Sequence, residues 1–334
     1  MDNYTKIIEA FLLGDVDGIE NSGVKPEHLE TQISHIFLFP EFVYKISKRN
    51  NTFFNKHFRD LSDLDSRIIF YKADFFRNNY FSPEIYLQLY GVHVKDGRVV
   101  LNTDIDGAED AVIKMKRVDL KYNLSQLLHD KSLTEDDFRF MGRQQTKLIA
   151  HYPHQPKYNN SYYDYFQERL DDLKNWMYSA PNYFSKEETD GVIKILRGYL
   201  EKEKDYFTSF DKSKYVISLD NHSDNIFYKD KKVFFLDIYP PKEEWGIVSP
   251  SINIYRPASD ILILMGEKYA RVFMEGHKDY YGSLDENHET FYFVYSAAIQ
   301  AVSLYNLSEN NELKLNDSEV YKDFIFKNIK VLNN

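Results

Sequence analysis

The chain has 334 residues, of which 43% are hydrophobic, 28% charged and 16% aromatic, with 13 Gly, 10 Pro, no Cys and a formal net charge of −10. The lack of cysteine excludes disulfide scaffolds, thiolate zinc sites, iron–sulfur clusters and cysteine nucleophiles. The acidic balance argues against a nucleic-acid-binding protein, whose phosphate contacts need clustered Lys and Arg. Apolar content is sufficient for a sizeable core, and the length suits two domains or one large two-lobed unit. The longest uncharged stretch, Thr290 to Ser308, is interrupted by Ser296, Gln300, Ser303 and Asn306, so a buried helix is expected there rather than a membrane span. With no cleavage-site pattern at the N-terminus, the expectation is a cytoplasmic protein with no membrane association.

In chain order, a short amphipathic helix is expected from about Tyr4 to Leu13. HLETQISHIFLF (28–39) and FVYKIS (42–47) are apolar runs around a Pro40-Glu41 turn and read as a hairpin. Ser62-Asp-Leu-Asp65 has capping-box spacing and opens a helix ending near Ser82-Pro83. YLQLYGVHV, a Lys95-Asp-Gly-Arg98 turn, RVVLNT and AVIKMKRV (111–118) read as further strands. From Leu120 onward helices dominate. Thr134 with Asp137 caps one running to about His151, Asn159 to Met177 forms another, and Ser185 with Glu188 caps a third running to about Phe207. A hairpin at 215–238 follows, then long helices at about 256–280 and 286–307. The class is α+β. Residues 1–117 form a small lobe with an antiparallel sheet and one main helix, and 118–334 form a larger, mainly helical lobe.

The sequence contains no GxxxxGK[ST], GxGxxG, HExxH or GxSxG. His151 and His154 in HYPHQP fit a solvated helix end better than a metal site, with Pro153 and Pro156 beside them and no carboxylate nearby. The informative stretch is SLDNHSDNIFYKDKKVFFLDIYPP, 218–241. Asp220 and Asn225 stand five apart in a loop, and a hairpin turning at Lys229-Asp-Lys231 leads to Asp237. Phosphoryl transfer on the kinase plan uses these residue types in this order. An Asp accepts the proton of the attacking hydroxyl, an Asn binds Mg²⁺, and an Asp after the next strand binds the Mg²⁺ that bridges the nucleotide phosphates. The competing reading makes Asp220 and Asn225 turn residues and Asp237 a strand terminus.

Such chemistry also needs a cation for the phosphates, held by a helix carboxylate. Lys45 lies among apolar residues in FVYKIS, and Asp74 follows 29 residues later in an aromatic helix segment. A snorkelling edge lysine and a solvated acid are the alternative readings.

Read together, these segments resemble the aminoglycoside phosphotransferase family of the protein-kinase-like fold, and in particular an uncharacterised bacterial branch of it. The matching stretches are ETQISHIFL (30–38) with YKIS (44–47), LDSRIIFYKADFFRNNYFSPEIY (64–86), AVIKMKRVDLKYNLSQLLHDKSLTEDD (111–137), SLDNHSDNI (218–226) with FLDIYPP (235–241), and ASDILIL (258–264). The resemblance implies an ATP- and Mg²⁺-dependent phosphotransferase acting on a hydroxyl of a small molecule. Asp220 would be the catalytic base, Asn225 and Asp237 the Mg²⁺ ligands, Lys45 the nucleotide-phosphate lysine and Asp74 its helix acid. Ser34 would lie near the phosphates, adenine would lie against the 111–118 strand, and Asp260 would be structural.

Ser218 and Leu219 replace the His and Gly that the family places before the base, Asp74 replaces a Glu, and Asp224 replaces a Gly. These departures keep a nucleotide-binding pseudokinase in view as the alternative function. A protein kinase ranks lower, because HRD, DFG and APE segments are missing. Glu243, Glu244, Asp285 and Glu286 are acidic candidates for attracting a cationic acceptor, or else a solvated face.

Overall fold

The computed structural model describes residues 2–20, 22–31, 33–153, 161–211, 214–240, 242, 247–308 and 311–333. The chain divides into two compact units, 1–120 with 234–242, and 121–233 with 243–334.

The first unit contains α1 (Asn3–Leu13), β1 (Val16–Asp17), β2 (Glu27–Glu30), β3 (Ser34–Leu38), β4 (Phe42–Ser47), α2 (Thr52–His57), α3 (Leu64–Phe81), β5 (Tyr86–Lys95), β6 (Arg98–Asn102) and β7 (Asp110–Lys116). Its strands form one seven-stranded sheet, ordered β1-β6-β5-β7-β4-β3-β2. The pairings are antiparallel except at one edge, where the two-residue β1 runs parallel to β6. The run expected as one strand over 28–39 is two. Thr31 Oγ1 accepts the N–H groups of Ile33 and Ser34, and this side-chain turn reverses the chain between β2 and β3.

Strand alternation sorts the sheet's faces. Tyr44 and Ile46 of β4 pack with Ile7 and Phe11 of α1, whereas Val43 packs with Phe70 and Tyr71 of α3. Lys45 shares Val43's parity and therefore points toward α3. That helix buries Arg67, Phe70, Tyr71, Asp74, Asn78 and Phe81, a stripe at three- and four-residue spacing that includes one acid. Its cap differs from expectation. Ser62 donates its N–H to Asp60 Oδ1 in a local turn, so Asp63 becomes the N-cap and accepts from the Ser66 N–H. A buried Arg67–Asp110 ion pair, 3.0 Å long, ties the start of α3 to β7.

The second unit comprises α4 (Leu124–His129), α5 (Glu135–Ala150), α6 (Tyr162–Tyr178), α7 (Lys186–Lys202), α8 (Lys204–Ser209), β8 (Val216–Ile217), β9 (Ile226–Lys229), β11 (Ile247–Val248), α9 (Pro250–Met265), α10 (Glu267–Tyr281), α11 (Glu289–Asn306) and α12 (Glu312–Asn328). Strand β10 (Lys232–Phe235) pairs with β9 and crosses the division at residue 233. Asp230 and Lys231 both have positive φ, 49° and 56°, as a tight hairpin turn requires. Capping boxes start α5 at Thr134/Asp137 and α7 at Ser185/Glu188. The helix expected over 256–280 is two helices. Pro250 occupies the first turn of α9, and Gly266, with φ of 100°, separates α9 from α10. Helix α12 was not foreseen, because charged residues dilute its apolar stripe.

Aromatic abundance is accounted for by packing. Phe166 of α6, for example, meets Phe207, Phe291 and Tyr295 edge-on. Among the described residues no helix is long and apolar enough to cross a membrane.

Helices α5 and α10 approach closely at Gly142 and Gly276. A Cβ on Gly142 would lie 2.0 Å from the Phe273 carbonyl oxygen, and one on Gly276 would lie 2.1 Å from that of Arg139. Gly142→Ala should therefore destabilise the protein by about 1–3 kcal/mol. Gly198→Ala, which meets open space within α7, should stabilise by about 0.5–1 kcal/mol. Urea unfolding of both variants checks the contrast.

Candidate active site

In the first unit three of the sequence-selected residues converge. Lys45 is 3% exposed. Its Nζ lies 3.1 Å from Asp74 Oδ2 and 2.5 Å from Asp237 Oδ1. Asp74 is held in turn by Asn78, one helical turn onward, whose Nδ2 donates to Asp74 Oδ1 at 2.6 Å. Asn78 Oδ1 accepts the Ile238 N–H, and the Tyr86 hydroxyl accepts the Asp237 N–H. The segment carrying Asp237 is thus pinned to α3 and β5 by its own backbone. Asp237 has φ of 55°, a left-handed conformation that Asp tolerates better than most residues. Its side chain is 44% exposed.

The charge states follow from burial and pairing. Burial opposes the Lys45 ammonium, but attraction from Asp237 and Asp74 outweighs it and holds the pKa well above the ordinary lysine value. Burial, with Lys45 opposing, raises Asp74 to about 6. Two carboxylates therefore share one buried cation.

Ser34 is fully buried at the start of β3, its Oγ 3.2 Å from the Tyr71 hydroxyl. It lies in the same unit as Lys45, at the end of the Thr31 turn.

In the second unit Asp220 and Asn225 occupy one loop. Asn225 Nδ2 donates to the Asp220 carbonyl at 2.8 Å, which orients the amide. Helix α9 anchors the loop. Asn253 accepts the Leu219 N–H and donates to the Ile217 carbonyl, while Asp260 accepts the Ser223 N–H at 2.7 Å and the Tyr321 hydroxyl at 2.6 Å. The backbone at Leu219 does not take a positive φ, so a glycine is not needed there. Asp224, the added carboxylate, turns toward Gln300 and Lys314, at 3.4 and 3.6 Å. Asp220 itself is 38% exposed at its side chain, with Oδ1 3.1 Å from Arg256 Nη2. Desolvation opposes its charge, but His222 and Arg256 prevail and hold its carboxyl below the ordinary value.

No protein-family model matches the chain, and no curated protein matches it in sequence. Solved structures do. Choline kinase from Cryptosporidium parvum Iowa II aligns over 99% of this chain and 100% of its own, with a TM-score of 0.54 and 11% identity. A choline/ethanolamine kinase family protein from Mesorhizobium loti aligns over 98% and 94%, with a TM-score of 0.51 and 12% identity. A glucosamine kinase in complex with glucosamine, ADP and inorganic phosphate aligns over 90% and 79%, with a TM-score of 0.50 and 11% identity. The fold is protein-kinase-like.

Within this kinase-like fold, the sequence reading missed the residues that hold the candidates in place. Asn78 was discoverable, since it stands one helical turn after Asp74. Arg256 stands four residues before Asp260, on the adjoining turn of α9, but nothing in the sequence connects it to Asp220. Of the acidic acceptor candidates, Asp285 is engaged by Tyr206, Tyr292 and His288, and Glu286 by Lys278. Glu243 and Glu244 lie outside the described residues, as does His154. His151 caps the end of α5.

Removing Lys45 should strand a buried carboxylate. Lys45→Met is expected to cost about 3–5 kcal/mol at pH 8, and Lys45→Met/Asp74→Leu should recover at least half of that. The sign of the pH effect follows from Asp74. Its folded pKa lies above the ordinary carboxyl value, so its contribution to stability is greatest below that value and is lost as pH rises past about 6. Without Lys45 the pKa rises further, so the deficit of the single variant should shrink as pH falls toward about 5. Urea titrations across that pH range measure both effects. Additive losses in the double variant would contradict the pairing.

Proposed function

We propose that this protein is an ATP- and Mg²⁺-dependent phosphotransferase that moves the γ-phosphate to a hydroxyl of a small molecule of the amino-sugar, sugar or amino-alcohol class. The observation that carries this reading is the buried Lys45 held between Asp74 and Asp237. A cation kept charged in the interior, with one partner exposed, is suited to nucleotide phosphates, and it supplies the part of kinase chemistry that depends on charge neutralisation. The kinase-like fold supports the reading, as do the choline, choline/ethanolamine and glucosamine kinases that share it.

Residues 1–117 are assigned to nucleotide binding, with Lys45, Asp74 and the Thr31–Ser34 turn nearest the phosphates. Residues 118–334 are assigned to catalysis and acceptor binding. Asn225 and Asp237 are the proposed Mg²⁺ ligands: amide and carboxylate oxygens suit a hard cation, which would neutralise phosphate charge. Asp220 is the proposed base. Its lowered pKa keeps it ionised at neutral pH, so that it can accept the hydroxyl proton as the acceptor oxygen attacks.

One observation favours a second reading, a nucleotide-binding protein without transfer. The Arg256 guanidinium occupies one edge of Asp220 and weakens it as a base. The two readings separate in a screen of ATP consumption over sugars, aminoglycosides and amino alcohols. With an active acceptor present, Asp220→Asn should lower turnover about 10²–10⁴-fold, and chelation of Mg²⁺ should abolish it. Binding of Mg-ATP with no acceptor phosphorylated would favour the second reading, and failure to bind Mg-ATP would contradict both.

A further inference from the structure

We infer that the edge hairpin β2–β3 carries a zinc-class metal site formed by His28, Glu30 and His35, separate from the proposed Mg²⁺ ligands. The register creates it. Glu30 pairs with His35 and His28 with Phe37, so these four side chains project from one face of the hairpin. His28 Nε2 lies 3.2 Å from His35 Nδ1. Tetrahedral bonds of ~2.0–2.1 Å to zinc would set two ligating nitrogens about 3.3 Å apart. Glu30 Oε1 is 3.9 Å from the same His35 nitrogen, and the ligand atoms of all three residues lie within 4.8 Å of one another.

The surroundings suit coordination. Lys48 Nζ takes the other Glu30 oxygen at 2.6 Å and the Thr31 carbonyl at 2.8 Å, which orients the carboxylate with Oε1 toward the histidines. The His28 ring stacks on Phe37 with centroids 5.0 Å apart, which fixes its plane. An open cleft of about 410 Å³, lined in part by Tyr4, Glu30, His35 and Asn50, gives water access for a fourth ligand. Two imidazoles and a carboxylate select zinc or copper(II) over magnesium. In a chain without cysteine they form the nitrogen-and-oxygen type of zinc site. The alternative is one N–H···N hydrogen bond between the two imidazoles at 3.2 Å, with Glu30 held by Lys48 alone, and metal titration separates the two. A metal here would clamp edge strand β2 to the start of β3 across the Thr31 turn.

The test is Zn²⁺ titration of the EDTA-stripped full chain by calorimetry, with Co²⁺ absorption reporting coordination geometry. Wild type should bind one equivalent saturably and give the intense visible bands of tetrahedral Co²⁺. His35→Ala and His28→Ala should weaken binding by more than the ~10–100-fold typical of losing an outer-shell partner. His151→Ala, at the C-terminal cap of α5, should bind as wild type does. Should the histidine variants fail to fold, Glu30→Gln at an exposed position carries the test, with an expected loss of at least about 10-fold. Absence of saturable binding in wild type, or unchanged affinity in folded His28→Ala, His35→Ala or Glu30→Gln, would overturn the inference.

Discussion

A lysine ammonium that is almost fully removed from water cannot stand alone. The desolvation penalty amounts to several kcal/mol, and the ion survives only where opposite charge and good geometry offset it. Lys45 meets that condition through Asp74 and Asp237, which come from an α-helix and from a segment 192 residues away in sequence. The surrounding polar contacts serve the same end. Asn78 holds both Asp74 and the backbone next to Asp237, and Tyr86 holds the Asp237 N–H. Residues 234–242 belong to the first unit, where Phe234, Leu236 and Tyr239 also pack into the core beside this cluster. Such an arrangement adds little to stability compared with an apolar core, and it is better explained by the charge it makes available.

The second unit solves a different problem. A loop carrying Asp220 and Asn225 must present polar groups without losing its shape. Side chains of α9 therefore hold its backbone: Asn253 takes the Leu219 N–H and donates to the Ile217 carbonyl where the loop begins, and Asp260 takes the Ser223 N–H. Asp260 is fully buried and accepts from both the loop and Tyr321 of α12, so it acts through position rather than through contact with a reactant. The loop that carries Ser218 and Leu219 is held in shape by hydrogen bonds to side chains elsewhere in the chain, Asn253 at Leu219 and Asp260 at Ser223.

Much of this was legible in the sequence, for identifiable reasons. Lys45 could be placed because strand alternation has a period of two, and Asp74 because an acid in an aromatic stripe is conspicuous. The capping boxes at Thr134 and Ser185 are local chemistry and read directly. What escaped was non-local or locally ambiguous. Thr31 splits a run that is apolar enough for one strand, and Gly266 divides a run that is helical on both sides. Asp60 captures the N–H of Ser62 and moves the cap of α3 by one residue. Arg256 could not be connected with Asp220, since their proximity depends on how α9 lies beneath the loop. The histidines at 28 and 35 looked scattered in the sequence and met only through the register of β2 on β3.

On this reading Lys45 is held charged for a nucleotide. The decisive measurement is calorimetric Mg-ATP binding by wild type and by Lys45→Met/Asp74→Leu, in which both buried charges are removed together. Wild type should bind one-to-one and the double variant at least about tenfold more weakly, a difference of ~1.4 kcal/mol that one lost charge contact readily supplies. Equal affinities in two folded proteins, or no binding by wild type, would contradict it.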